Sequence, residues 1–129
     1  MNLLLDTHIL LWALDEPSRL KPDMRALLED SGNEVFFSAA SIWEIAVKAR
    51  LGRVDFPVGP EDIIRAARDV GFTELPVRAD AAARVATLPL HHHDPFDRLL
   101  VAQALDEPMR LYTADTLLPP YSELVVLTG

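Results

Sequence analysis

The run Asn2-Leu3-Leu4-Leu5, followed at once by Asp6, constrains the fold more than any other stretch of the chain. Three consecutive leucines leave no polar face, so the segment suits a strand covered on both sides, as in a parallel sheet flanked by helices. Ligands of such sheets bind beyond the carboxyl ends of the strands, which places Asp6 where chemistry is done. The same acid suits the N-cap of a helix beginning near Thr7, and for this residue alone both readings stand.

The rest of the chain repeats the alternation. Ile9, Leu10, Ala13 and Leu14 lie at helical spacing ahead of Pro17, and a second helix is expected from Ser18 or Lys21 to Asp30, stopped by Ser31-Gly32-Asn33. Val35-Phe36-Phe37 is β-prone. Ser38 to Leu51 reads as a helix with Gly52 at its C′ position, and Pro60 opens another that runs to about Val70. Phe72 to Leu75 is the third strand, Ala79 to Leu88 a helix, and Asp94-Pro95 begins the last helix, ending near Leu105. Arg110 to Thr113 and Leu124 to Leu127 complete a set of βαβ units, hence an α/β fold with a mainly parallel sheet.

A chain of 129 residues, half of them hydrophobic, is expected to form one domain spanning 1–129 with its own core. No apolar run reaches the roughly 18 residues of a membrane span and no leader pattern is seen, so a soluble, cytoplasmic protein with no membrane association is expected. The absence of cysteine excludes disulfides and thiolate metal sites, leaving carboxylates and imidazoles as the strong ligands. A net charge of −8 argues against nonspecific phosphate binding, which needs excess Lys and Arg, but not against a nuclease whose acids hold cations.

Three acids join Asp6. Glu44 borders the buried stripe of its helix; Ser41 three residues earlier has capping-box spacing and Lys48 four residues later can pair with it, so taken alone a structural role is the stronger reading. Asp97 falls among Leu100, Val101 and Ala104, where an acid is costly to desolvate without a partner. Asp94 suits the N-cap of that helix and Arg98 stands at pairing distance from Asp94, so the functional role is taken for Asp97 and capping for Asp94. Asp115 follows the strand ending at Thr113 as Asp6 follows Leu5, with an Asx turn or cap as its structural alternative. Two acids beyond strand ends and two in first turns of helices can all face one end of the sheet.

The run His91-His92-His93 is expected to be a solvated loop beside the pocket rather than a zinc cluster, because consecutive residues rarely aim three rings at one ion. Trp12 and Trp43 are read as core or interface packing. Lys48, Arg50, Arg53 and Arg98 are the candidates for phosphate contacts, with surface solvation expected for at least half of them.

Four segments together carry a family likeness: Leu3-Leu4-Leu5-Asp6-Thr7, Ser38-Ala39-Ala40-Ser41-Ile42-Trp43-Glu44-Ile45, the stretch from Asp94-Pro95-Phe96-Asp97-Arg98 to Ala104, and Tyr112-Thr113-Ala114-Asp115. In this order and at these separations they resemble the PIN-domain ribonucleases, specifically the VapC toxins of toxin–antitoxin pairs. The resemblance implies a three-layer α/β/α fold and endonucleolytic cleavage of RNA at an acidic pocket holding Mg²⁺ or Mn²⁺. It makes Asp6, Glu44, Asp97 and Asp115 the catalytic, metal-binding acids, with Thr7 and Thr113 as hydroxyl supports. It further implies a homodimer and a small antitoxin protein covering the pocket. A haloacid-dehalogenase-type phosphatase is disfavoured by His8 at the position of its second aspartate, and a receiver domain by the lack of an acidic pair and a late lysine. A catalytically silent module of the same fold is the remaining alternative, which metal titration distinguishes.

Overall fold

The computed structural model describes residues 1–128. In chain order the elements are β1 (Asn2–Leu5), α1 (Thr7–Asp15), α2 (Pro22–Glu29), β2 (Glu34–Ser38) and α3 (Ala39–Arg50), then α4 (Pro60–Asp69), β3 (Thr73–Leu75), α5 (Ala79–Arg84), α6 (Pro95–Asp106), β4 (Arg110–Thr113) and β5 (Val125–Leu127). The strands form one sheet of order β3-β2-β1-β4-β5, and every pairing is parallel. The sheet is thus wholly rather than mainly parallel.

The leucine run forms the central strand for the reason its composition suggests. Leu3 and Leu5 pack into a core with Ile9, Leu10, Ile45 and Ile63 on one face, while Leu4 packs with Leu100, Val101 and Leu111 on the other. All three leucines are fully buried, so helices cover both faces and the layers run α/β/α. At about 2 kcal/mol for each such side chain, β1 anchors the core through hydrophobic burial from both sides.

Elements end where local chemistry requires. Gly52 adopts φ of 74° beyond α3; its N–H reaches the Ala49 carbonyl at 3.0 Å and the Arg53 N–H reaches that of Lys48 at 3.1 Å. This closes the helix with a left-handed residue that glycine adopts without steric cost. The second helix begins only at Pro22, because Pro17–Arg19 form a separate 3₁₀ turn, and the helix expected to reach Leu88 stops at Arg84 before another 3₁₀ turn at Val85–Thr87. Among the described residues no helix is long and apolar enough to cross a membrane.

The strand order places the switch point beside β1. The chain passes from β1 to β2 on one side, while β4 pairs with the other edge, Leu5 standing opposite Tyr112. The crevice beyond these carboxyl ends is where open α/β sheets take ligands, and Asp6 and Asp115 follow its two walls.

Candidate active site

Asp6, Glu44, Asp97 and Asp115 line one open pocket of about 340 Å³ at that crevice, together with His8, Trp12, Lys48, His92, Asp94 and Ala114. The four acids come from four separate stretches of chain, and each is held differently.

Asp6 caps α1 as one of its two readings expected, and it lines the pocket at the same time. One carboxylate oxygen accepts the Ile9 N–H at 2.9 Å, capping α1, and the other accepts the Thr113 hydroxyl. It is 4% exposed, and burial pushes its carboxyl above the ordinary 3.8 against the lowering effect of those hydrogen bonds. Thr113 also receives the Asp115 N–H at 3.0 Å, so one hydroxyl joins the acids that follow β1 and β4.

Glu44 is buried inside α3. The Thr7 hydroxyl donates to its Oε1 at 2.6 Å, and Lys48 binds its Oε2. The capping box expected of Ser41 and Glu44 is not formed. Ser38 is the N-cap of α3, accepting the Ala40 N–H at 3.0 Å, whereas Ser41 lies one turn into the helix with its hydroxyl 3.0 Å from that of Thr7. The Lys48 ammonium also stands 3.9 Å from Asp94 and within cation–π range of Phe56 and Phe96, which fixes it at the pocket wall.

Asp94 is the N-cap of α6, its carboxylate accepting the Phe96 N–H at 2.8 Å. Asp97 has no such support: its contact among the described residues is His92 Nε2 at 3.5 Å. Burial, with Asp94, Asp6, Glu44 and Asp115 adding repulsion, pushes its carboxyl up to about 8. Asp115 is held at both oxygens, Oδ1 by the Leu117 N–H at 2.9 Å and Oδ2 by His92 Nε2 at 2.7 Å.

Several expectations are corrected. His92 is not merely part of a solvated loop, because its ring enters the pocket between Asp97 and Asp115, while His91 and His93 are exposed. Arg98 neither pairs with Asp94 nor lines the pocket. Its guanidinium donates to the carbonyls of Pro89, Val85 and Leu88 at 3.0, 3.1 and 3.3 Å and to the Tyr121 hydroxyl at 3.0 Å. Arg53 pairs with Asp55 and Arg50 is exposed away from the pocket lining, leaving Lys48 as the one Lys or Arg lining it among the described residues. Trp43 is 58% exposed, its ring set edge-on 4.7 Å from Phe96, so of its two readings the core one is excluded and the interface one stands. Trp12 is half-buried with the Arg19 guanidinium 4.5 Å above its ring. No spacing in the sequence distinguishes His92 from its neighbours; only the fold does.

The donor set suits a hard divalent cation. Carboxylate oxygens dominate, Asp97 is a half-buried acid without a hydrogen-bond donor of its own, and the carboxylates of Asp97 and Asp115 lie within 4.8 Å of each other beside the His92 ring.

The PIN domain family model matches residues 3–122. Ribonuclease VapC22 of Mycobacterium tuberculosis is 32% identical over 118 residues, covering 88% of this chain and 87% of that protein. Among solved structures, VapBC2 from Rickettsia felis bound to a DNA fragment from their promoter superposes with a TM-score of 0.71 over the whole of both chains at 14% identity. FitAcB from Neisseria gonorrhoeae does so with 0.52 over 88% of each at 22% identity. These structural likenesses speak for the fold, and the sequence matches speak for the lineage: the chain belongs to the PIN domain family, in its VapC branch.

Proposed function

We propose that this chain is a metal-dependent endoribonuclease, the toxin of a toxin–antitoxin pair, acting in the cytoplasm as a single PIN domain. The observation that carries the reading is the convergence of Asp6, Glu44, Asp97 and Asp115 on one pocket at the sheet's switch point. The kinship with a ribonuclease supports it.

In this reading the four acids hold Mg²⁺ or Mn²⁺. A bound divalent cation would offset their repulsion, acidify water for attack on a phosphodiester and stabilise charge developing on phosphate oxygens. The chain's own residues set the geometry. Ile9 and Thr113 fix Asp6, Thr7 and Lys48 fix Glu44, and the Leu117 N–H and His92 fix Asp115. Asp97, with no donor of its own, has the most to gain from the cation. Lys48 supplies a positive charge at the wall where a substrate phosphate enters.

The same acidity suits a basic partner. A small antitoxin presenting an Arg or Lys to the pocket would occupy the cation's place. A homodimer is part of the same reading.

The test is cleavage of RNA by the purified chain, free of any partner, with Mg²⁺ or Mn²⁺ and again in EDTA. Metal-dependent cleavage abolished by Asp6→Asn is the expected result. Full cleavage by rigorously metal-free protein rejects the mechanism.

A further inference from the structure

We propose that His92 is a positioning residue of the acidic pocket and not one of its cation ligands: its Nε2–H holds Asp115, and the backbone of Asp94 dictates which ring nitrogen bears the proton. The assignment rests on reading the pocket as a divalent-cation site.

A neutral imidazole has one donor and one acceptor nitrogen, and the hydrogen bond made by one fixes the role of the other. The Asp94 N–H donates to His92 Nδ1 at 2.9 Å, so Nδ1 offers its lone pair and the proton sits on Nε2. Nε2 stands 2.7 Å from Asp115 Oδ2 and 3.5 Å from Asp97 Oδ2. A nitrogen that carries a hydrogen has no lone pair in the ring plane for a metal. Ligation through Nε2 would move the proton to Nδ1, where it would meet the Asp94 N–H head on. Asp94 is held in its extended conformation by the cap to the Phe96 N–H and by the proline that follows it, which disfavours the helical alternative.

The loop bearing the ring is built to keep it there. The Tyr121 hydroxyl receives the N–H groups of His91 and His92 at 3.1 and 2.9 Å, and Arg98 ties that hydroxyl to three carbonyls of residues 85–89. His91 instead packs its ring on Tyr121 at 4.8 Å and His93 is exposed, so the fold selects the middle histidine. With Leu117 on Oδ1 and His92 on Oδ2, both oxygens of Asp115 are fixed while lone pairs remain for a cation. Hydrogen bonds of this kind to ligating carboxylates typically change metal affinity by about 10- to 100-fold.

The experiment uses the full chain, His92→Ala and His92→Gln; the glutamine amide can donate to Asp115 from the place of Nε2. Long-range proton–nitrogen spectra of the metal-free parent are expected to show His92 protonated at Nε2, and a proton on Nδ1 overturns the assignment. Mn²⁺ titration calorimetry without RNA is expected to show affinity lowered by about 10- to 100-fold in H92A and largely restored in H92Q. Pulsed electron paramagnetic resonance of the Mn²⁺-loaded parent is expected to show no coordinated ring nitrogen. A His92 nitrogen bound to Mn²⁺, or equal Mn²⁺ affinity in H92A and the parent, overturns the proposal. A parent that takes up no Mn²⁺ overturns the cation reading and this assignment together. Should H92A fail to fold, the tautomer and resonance measurements on the parent still decide.

Discussion

The Thr7 hydroxyl lies 2.6 Å from Glu44 Oε1, tying the first residue of α1 to the middle of α3. Glu44 is nearly inaccessible to solvent, and a buried carboxylate is tolerable only when its oxygens are satisfied. Thr7 and Lys48 share that task, one at each oxygen.

Replacing Thr7 with Val keeps the shape and removes the donor. The expected result is a loss of about 1.5–3 kcal/mol of stability, the range for hydrogen bonds to charged groups, with Thr7→Ser much closer to the parent. Urea unfolding midpoints at pH 7 measure the difference. Equal midpoints for Thr7→Val and the parent would show that Glu44 draws nothing from this bond.

Arg98 is the residue whose role sequence and structure divide most sharply. As a phosphate contact, its loss would lower the salt dependence of single-strand RNA binding by about 0.7 in the log–log slope. Its guanidinium instead spans three backbone carbonyls and the Tyr121 hydroxyl, a fan that the ammonium of lysine cannot reproduce. Arg98→Lys is expected to cost about 1–3 kcal/mol of stability while leaving the salt slope unchanged, as read by thermal melts and by RNA binding at several salt concentrations.

What was legible in the sequence depended on short-range chemistry. The leucine run, the Asp94 cap and the Gly52 helix end are each decided within a few residues, and each stands where the local pattern places it. The four acids were also legible, because each sits at an element boundary or on a helix stripe whose direction the pattern sets. Several of the misreadings concern side chains whose partner lies far along the chain. Ser41 sits beside Thr7, 34 positions away, rather than capping its own helix. Arg98 passes over Asp94 for Tyr121, 23 positions on, and His92 finds Asp115 at the same separation. Local spacing cannot rank such contacts, since each joins elements that only the fold brings together.

Comparing Asp97→Asn with the parent isolates the pH dependence that Asp97 contributes, since Asp6, also raised by burial, acts in the same sense in both. In the folded, metal-free chain its carboxyl titrates near 8, whereas in the unfolded chain it titrates near the ordinary 3.8. Between those values the native state holds a proton that the unfolded state has released. Stability therefore falls as pH rises across this window, and the effect levels off below about 4, where both states are protonated, and above about 8, where neither is. Asn at this position cannot ionise, so in EDTA Asp97→Asn is expected to melt at or above the parent's temperature, by a margin that widens from pH 5 to pH 8. Mn²⁺ should reverse the order. It must displace the Asp97 proton, so the parent gains more from the ion at pH 8 than at pH 6, and the variant loses most of that gain together with cleavage. Paired melting curves at both pH values, with and without Mn²⁺, and an RNA cleavage assay on the same samples measure all three effects. A simple N-terminal helix acid would behave in the opposite sense: its loss would lower the melting temperature in EDTA by the equivalent of about 1 kcal/mol or less and leave the Mn²⁺ shift and the activity in place.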